Sequence, residues 1–140
     1  MLGGHCLCGA VRYESGELVS PAVFCHCESC RRASGAHVVA WATVKRSSFR
    51  VVHGTLRSYR SSERATREFC ERCGTPITYA SADSPDTIDI TVASLDAPDA
   101  IEPTAHVWMS DALKWDRPQD THPKFPHSGI GERQPPDSTS

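Results

Sequence analysis

FCERCG, residues 69–74, places two cysteines three positions apart and follows them directly with a glycine. In a C-x-x-C knuckle a turn brings two thiolates to one point, and Gly74 can supply the positive φ that such a turn often needs. Two sulfurs are half of a closed zinc site. The other half is HCLCG, residues 5–9. In a strand, residues i and i+2 point to the same face, so Cys6 and Cys8 can present both sulfurs to one ion if the strand bends. Cys6, Cys8, Cys70 and Cys73 then form the tetrahedral four-thiolate set of a structural zinc, with Zn–S bonds near ~2.3 Å. Such a site ties the start of the chain to its middle, and by analogy with zinc-finger peptides it supplies on the order of 10 kcal/mol of folding free energy.

A staple of that size suits this chain. It has 140 residues, the size of one domain, with 39% hydrophobic residues and a mean hydropathy of −0.40, a modest supply for a core. No run of 18 apolar residues predicts a membrane span. The first residues, MLGGHCLCGAVRYE, carry neither a basic n-region nor an apolar h-region, so they do not read as a signal peptide, and the expected location is cytoplasmic. Seven cysteines, an odd number at C-x-C and C-x-x-C spacing, argue for metal rather than a disulfide framework.

The pattern along the chain is β. Short β-rich runs occupy 10–14, 22–27, 37–44, 48–54, 56–61, 65–70, 76–81 and 87–95, with Gly, Pro and Ser between most of them. In the last run Ile88, Ile90 and Val92 alternate with Asp89 and Thr91, the period of a half-buried strand. The best short helix is ESCRRAS, 28–34, with SDALKW, 110–115, as a second; Gly35 reads as the terminator of the first. The expected fold class is all-β, a sandwich or tent with short helical turns, stapled by zinc. The domain is expected over 1–117. Residues 118–140, rich in Pro, Gly, Ser and charge, form a C-terminal extension expected to be disordered from about Ser128.

Charge is unevenly spread. The net charge is −2, yet residues 45–72 carry eight Lys/Arg against three Asp/Glu, and residues 83–116 carry eight Asp/Glu against one Lys. Two solvated faces explain this, as does a basic rim attracting a small acidic substrate. No Lys/Arg run exceeds two residues, which disfavours nucleic acid as a partner.

Removing the two flanking pairs leaves FCHCESCRRASG, 24–35, with Cys25, Cys27 and Cys30 together. Cys25 and Cys27 are expected on one strand face, and Cys30 comes back from the following turn. Three protein ligands and an exchangeable fourth position is the pattern of a catalytic zinc. A closed site completed by His26, His37 or His106 is the alternative, although His26 falls on the opposite strand face. A thiol substrate can also fill the fourth position, where zinc would hold it as a thiolate nucleophile.

GHCLCG, CHCESCRRASG and FCERCG, in this order, resemble the glutathione-dependent formaldehyde-activating enzyme family, whose domain centromere protein V shares. ASLD, 93–96, and PTAHVWMSDALKW, 103–115, are similar to the family's later segments, so the resemblance covers roughly residues 3–116. It implies an Mss4-like fold with two zinc ions. Cys6, Cys8, Cys70 and Cys73 match its structural site, and Cys25, Cys27 and Cys30 its catalytic one. The implied reaction joins glutathione, as co-substrate, to formaldehyde, formally a carbon–sulfur lyase run in reverse. Position 93 is Ala where many members have Gly.

Further residues carry open readings. Arg31 and Arg32 follow Cys30, where they can stabilise thiolates or meet a glutathione carboxylate, or form a surface pair. Asp96 reads as a turn residue or an acid/base group, His53 as a turn residue, and His106 as a proton-transfer or packing histidine. Trp41, Trp108 and Trp115 read as core. Beside a zinc enzyme joining a thiol to a small aldehyde stand a non-catalytic zinc-binding interaction module of the same fold and a redox sensor using Cys25, Cys27 and Cys30.

Overall fold

The computed structural model describes residues 1–132. Ten strands follow in order: β1 (Leu2–His5), β2 (Arg12–Ser15), β3 (Val23–Cys25), β4 (Val39–Lys45), β5 (Arg50–His53), β6 (Leu56–Arg60), β7 (Ala65–Cys70), β8 (Pro76–Ser81), β9 (Thr87–Thr91) and β10 (His106–Val107). One α-helix, α1 (Glu28–Ser34), lies between β3 and β4. The mostly β class and the 28–34 helix agree with the sequence reading. The second helix is shorter than expected, a 3-10 turn at Met109–Asp111.

The strands form two sheets. The small one has the order β1-β2-β5; the large one runs β10-β3-β4-β9-β8-β7-β6. All pairings are antiparallel except β10 with β3, where His106 lies beside Phe24 and Val107 beside Cys25. Alternation assigns the two faces of the large sheet. Ala42, Val44, Ile88 and Ile90 point to one side, where they meet Val11 and Tyr13 of the small-sheet side in the main core; Ile77 joins them where the β7–β8 register shifts at Glu68/Phe69 and breaks the alternation. The other side carries a row of directly paired residues: Arg67 beside Tyr79, Tyr79 beside Asp89, and Asp89 beside Thr43. Cross-strand partners share a face, so this polar row is the floor of whatever opens on that side.

The two sulfur groups sit in different parts of the interior. Cys6 and Cys70 belong to the main core, while Cys25 and Cys30 belong to a second cluster with Val23, Trp41, Ala105 and Val107. Tyr13 is fully buried, and its hydroxyl lies 2.7 Å from the Ser94 hydroxyl. Tyr13→Phe is therefore expected to cost about 1 kcal/mol, because Ser94 keeps its bond to Thr91 and only one partner is lost. Urea unfolding of the two proteins measures the difference.

Residues after Pro118 return to the domain. Phe125 N–H donates to His106 O at 2.8 Å, and His106 N–H donates to Pro123 O at 2.8 Å. Phe125 also packs against the second cluster. The disorder expected towards the C-terminus falls mainly on residues 133–140, outside the described residues. Among the described residues no helix is long and apolar enough to cross a membrane.

Candidate metal centres and the groove beside them

The four outer sulfurs converge, those of Cys6, Cys8, Cys70 and Cys73 lying within 4.8 Å of one another. The local route differs from the strand expected for Cys6 and Cys8. β1 stops at His5, and residues 7–9 form a turn in which Gly9 N–H donates to Cys6 O at 3.1 Å, with Gly9 at φ 79°. A turn aims two i, i+2 sulfurs at one point without the bend a strand would need. On the other side β7 ends at Cys70, and Gly74 at φ 81° donates to Cys70 O at 2.9 Å, closing the knuckle. The Cys70 sulfur accepts N–H bonds from Arg72 and Cys73 at 3.3 and 3.4 Å, and the Cys6 sulfur accepts from Val11 at 3.2 Å. The Thr75 hydroxyl, 3.1 Å from the Cys73 sulfur, together with backbone N–H groups, holds that thiol down to about 5.

A tetrahedron with bonds near 2.3 Å has ligand–ligand edges of about 3.8 Å. The Cys6–Cys8 and Cys8–Cys70 sulfur separations are 3.6 and 3.9 Å. The donor set and its spacing therefore fit zinc.

The three middle sulfurs, Cys25, Cys27 and Cys30, form a second group within the same limit, and among the described residues no histidine joins it. Cys25 lies on β3, as expected, but the strand ends there, two residues short of the expected run, and Cys27 does not share it. It is the N-cap of α1, in extended conformation (φ −62°, ψ 151°), and its sulfur accepts the Cys30 N–H at 3.2 Å. An N-cap needs a side-chain acceptor for an orphan helix N–H, and a cysteine sulfur supplies one here. Cys30 follows from the first helical turn, and Gly35 at φ 69° ends the helix as expected.

The three candidate histidines are engaged elsewhere. His26 is buried, with Nε2 2.9 Å from Nδ1 of His106 and Nδ1 3.1 Å from Asp116. His106 donates from Nε2 to Asp120 at 2.7 Å. His37 lies beside the Trp115 ring. This chain of Asp116, His26, His106 and Asp120 pins the segment after residue 115 to β3 and β10. The bond from His106 lowers the Asp120 carboxyl to about 2. A carboxylate depressed in the folded state stabilises it above the unfolded pKa, near 3.8, and loses that contribution as pH falls towards 2. Asp120→Asn is expected to lower stability at pH 7 and to flatten the fall between pH 4.5 and 2; thermal melts across that range test it.

Arg32 pairs with Glu28 at 2.9 Å on the exposed side of α1, and the Arg31 Nε is buried without a hydrogen-bond partner. The cation at the cluster is Arg67, whose two Nη atoms reach the Cys30 sulfur at 3.6 and 3.7 Å. Its Nε donates to the Ser61 hydroxyl at 3.2 Å, and its guanidinium lies over the Tyr79 ring at 4.9 Å. Sequence reasoning passed over Arg67. Its signal was an arginine on the same strand face as Ala65 and Phe69. Hydrogen bonding from Cys25 and Cys27, then the charge of Arg67, lowers the Cys30 thiol, whereas its role as donor pushes Cys25 up.

All three middle cysteines open onto a groove of about 710 Å³, with Trp41, Arg67 and Tyr79 among its walls. Trp41 is buried, as expected of a core residue, and also faces this groove. Trp108, in left-handed conformation at φ 58°, stands at the groove, and Trp115 is 69% exposed, so neither is core. Asp96 accepts from Arg12 and lies 2.7 Å from the His5 ring, a clasp between β1, β2 and the turn it closes.

The chain is similar to known proteins. The profile of the family described as glutathione-dependent formaldehyde-activating enzyme matches residues 1–111. An uncharacterized lyase of Schizosaccharomyces pombe is 31% identical over 77 residues, which cover 55% of this chain and 56% of that protein. The match thus spans little more than half of the relative's length. A crystal structure of a Rhodobacter sphaeroides protein superposes with a TM-score of 0.59 at 27% identity, covering 88% of this chain and 98% of that one.

Proposed function

The chain belongs to the glutathione-dependent formaldehyde-activating enzyme family, and from that premise we propose that it is a zinc-dependent carbon–sulfur lyase whose groove joins a thiol to formaldehyde or another small aldehyde. The observation that carries this reading is the contrast between the two sulfur groups. One has four thiolates and is complete; the other has three, with no fourth protein ligand among the described residues, and faces an open groove. Cys6, Cys8, Cys70 and Cys73 would hold a structural zinc, and Cys25, Cys27 and Cys30 a catalytic one. Bound there, zinc supplies Lewis acidity that keeps an incoming sulfur ionised at neutral pH.

The chain's own residues do the rest. Cys27 caps α1 and so fixes Cys30 relative to itself. Trp41 and Tyr79, with ring centroids 6.1 Å apart, wall the groove beside the sulfurs and limit water there. In the reaction the thiol gives up its proton, and a sulfur lone pair forms the C–S bond to the carbonyl carbon. The carbonyl π pair moves to oxygen, which takes a proton, and the product is the S-hydroxymethyl thioether. Cleavage is the same step reversed.

Exchange-resolved NMR of labelled formaldehyde with glutathione, and with smaller thiols, tests this. The zinc-loaded protein is expected to accelerate adduct formation at least tenfold over the spontaneous rate with one of them. No acceleration with any thiol would sink the reading.

A further inference from the structure

Three thiolates around a divalent zinc leave one net negative charge, and a fourth thiolate raises it to two. Low dielectric makes that second charge expensive unless a cation stands beside it. The groove lining offers little help. Its charged residues are Glu28, Asp83, Asp89, Asp111 and Arg67, so Arg67 is the one cation among the described residues that line it.

The two sulfur groups answer their charge differently. In the complete group, backbone N–H groups of Val11, Arg72 and Cys73 donate to sulfur. In the open group, one backbone N–H donates to Cys27, and the Cys30 sulfur takes the guanidinium of Arg67. A site that merely needed its own thiolates satisfied could use backbone donors, as the other does.

Arg67 is also held in place. Ser61 takes its Nε–H, Tyr79 lies under its plane, and β7 carries it as a mid-strand residue in register with Tyr79. A guanidinium has five N–H donors. One goes to Ser61 and two point at Cys30, which leaves two for a neighbouring anion.

We infer that Arg67 is the positioning residue that makes the open site select an anionic fourth ligand, a thiolate in the reaction, over a neutral one. The inference rests on the open-site reading of Cys25, Cys27 and Cys30. It goes beyond that reading in assigning ligand selection to a residue outside the metal-binding set.

The test uses cobalt-loaded full-length protein and follows the visible spectrum during titration with azide, with 2-mercaptoethanol and with neutral imidazole. Arg67→Gln is expected to weaken azide and thiol binding tenfold or more while imidazole affinity stays within twofold. Arg67→Lys is expected to recover most of the loss, and Arg50→Gln, distant on β5, to match the parent. Cobalt content and far-UV circular dichroism report that the variants are folded and loaded. Equal anion affinity in the parent and Arg67→Gln overturns the inference, as does a loss of imidazole binding to the same degree or a parent site that never responds to azide. A parent that binds azide but no thiol defeats the proposed function alone, and the azide arm then still decides the role of Arg67.

Discussion

Cys70→Ser is expected to remove one metal per chain and with it the cooperative fold. Cys70 is 1% exposed, and its sulfur accepts two backbone N–H groups and sits 3.9 Å from the Cys8 sulfur at the junction of the main core and the four-sulfur group. Structural zinc sites of this type contribute on the order of 10 kcal/mol, against a total domain stability of about 5–15 kcal/mol. Losing one ligand forfeits much of the first figure and leaves a hydroxyl among thiolates. The unfolding midpoint should fall by about 20 °C or more, or the variant should lack a transition altogether. Metal analysis together with calorimetry measures both. A variant that kept two zinc ions and its melting temperature would remove the structural role assigned to these four cysteines.

Cys27→Ser is expected to do the opposite, sparing the fold and abolishing the chemistry. The physical reason is the double duty of Cys27. Its sulfur caps α1 by accepting the Cys30 N–H, and serine is among the best N-cap residues, so the helix start survives the exchange. A hydroxyl does not ionise at neutral pH, so the open group loses one of its three thiolates. Zinc content should fall from two ions to one, with circular dichroism and cooperative unfolding retained. Adduct formation should drop to the spontaneous rate, a loss of about tenfold or more, since the metal would supply the Lewis acid. Full activity with a single zinc would transfer the reaction away from this group.

Eight of the ten strands coincide with runs visible in the chain, because a sheet with one face on the core imposes a period of two that local composition records. Ile88 and Ile90 inside, with Asp89 between them, is the clearest case. β1 and β10 left no such trace. β1 contains Gly3 and Gly4, weak strand formers, and Gly4 is there because any side chain would collide with the Tyr13 hydroxyl and the Ser94 carbonyl. β10 has two residues, and its partner β3 lies some eighty residues earlier. The expectation that Cys6 and Cys8, or Cys25 and Cys27, would share strand faces failed for one reason. Metal-ligand spacing was read as strand spacing, whereas turns and a helix cap deliver the same sulfurs to a point.

The grouping of the cysteines was legible in the sequence alone. Seven cysteines in groups of two, three and two gather into one set of four sulfurs and one of three, and spacing is a local property that the chain carries wherever it folds. What only the tertiary structure decided is what surrounds the shorter set. The cation on the Cys30 sulfur is Arg67, 37 residues away, while the nearby Arg32 pairs with Glu28 instead. His26, between two of the cysteines in sequence, is turned away into a chain with His106 and two carboxylates. Those outcomes depend on which face of the large sheet each strand presents and on how β3, β7 and β10 are brought together. Long-range packing sets both, and no window of sequence contains it.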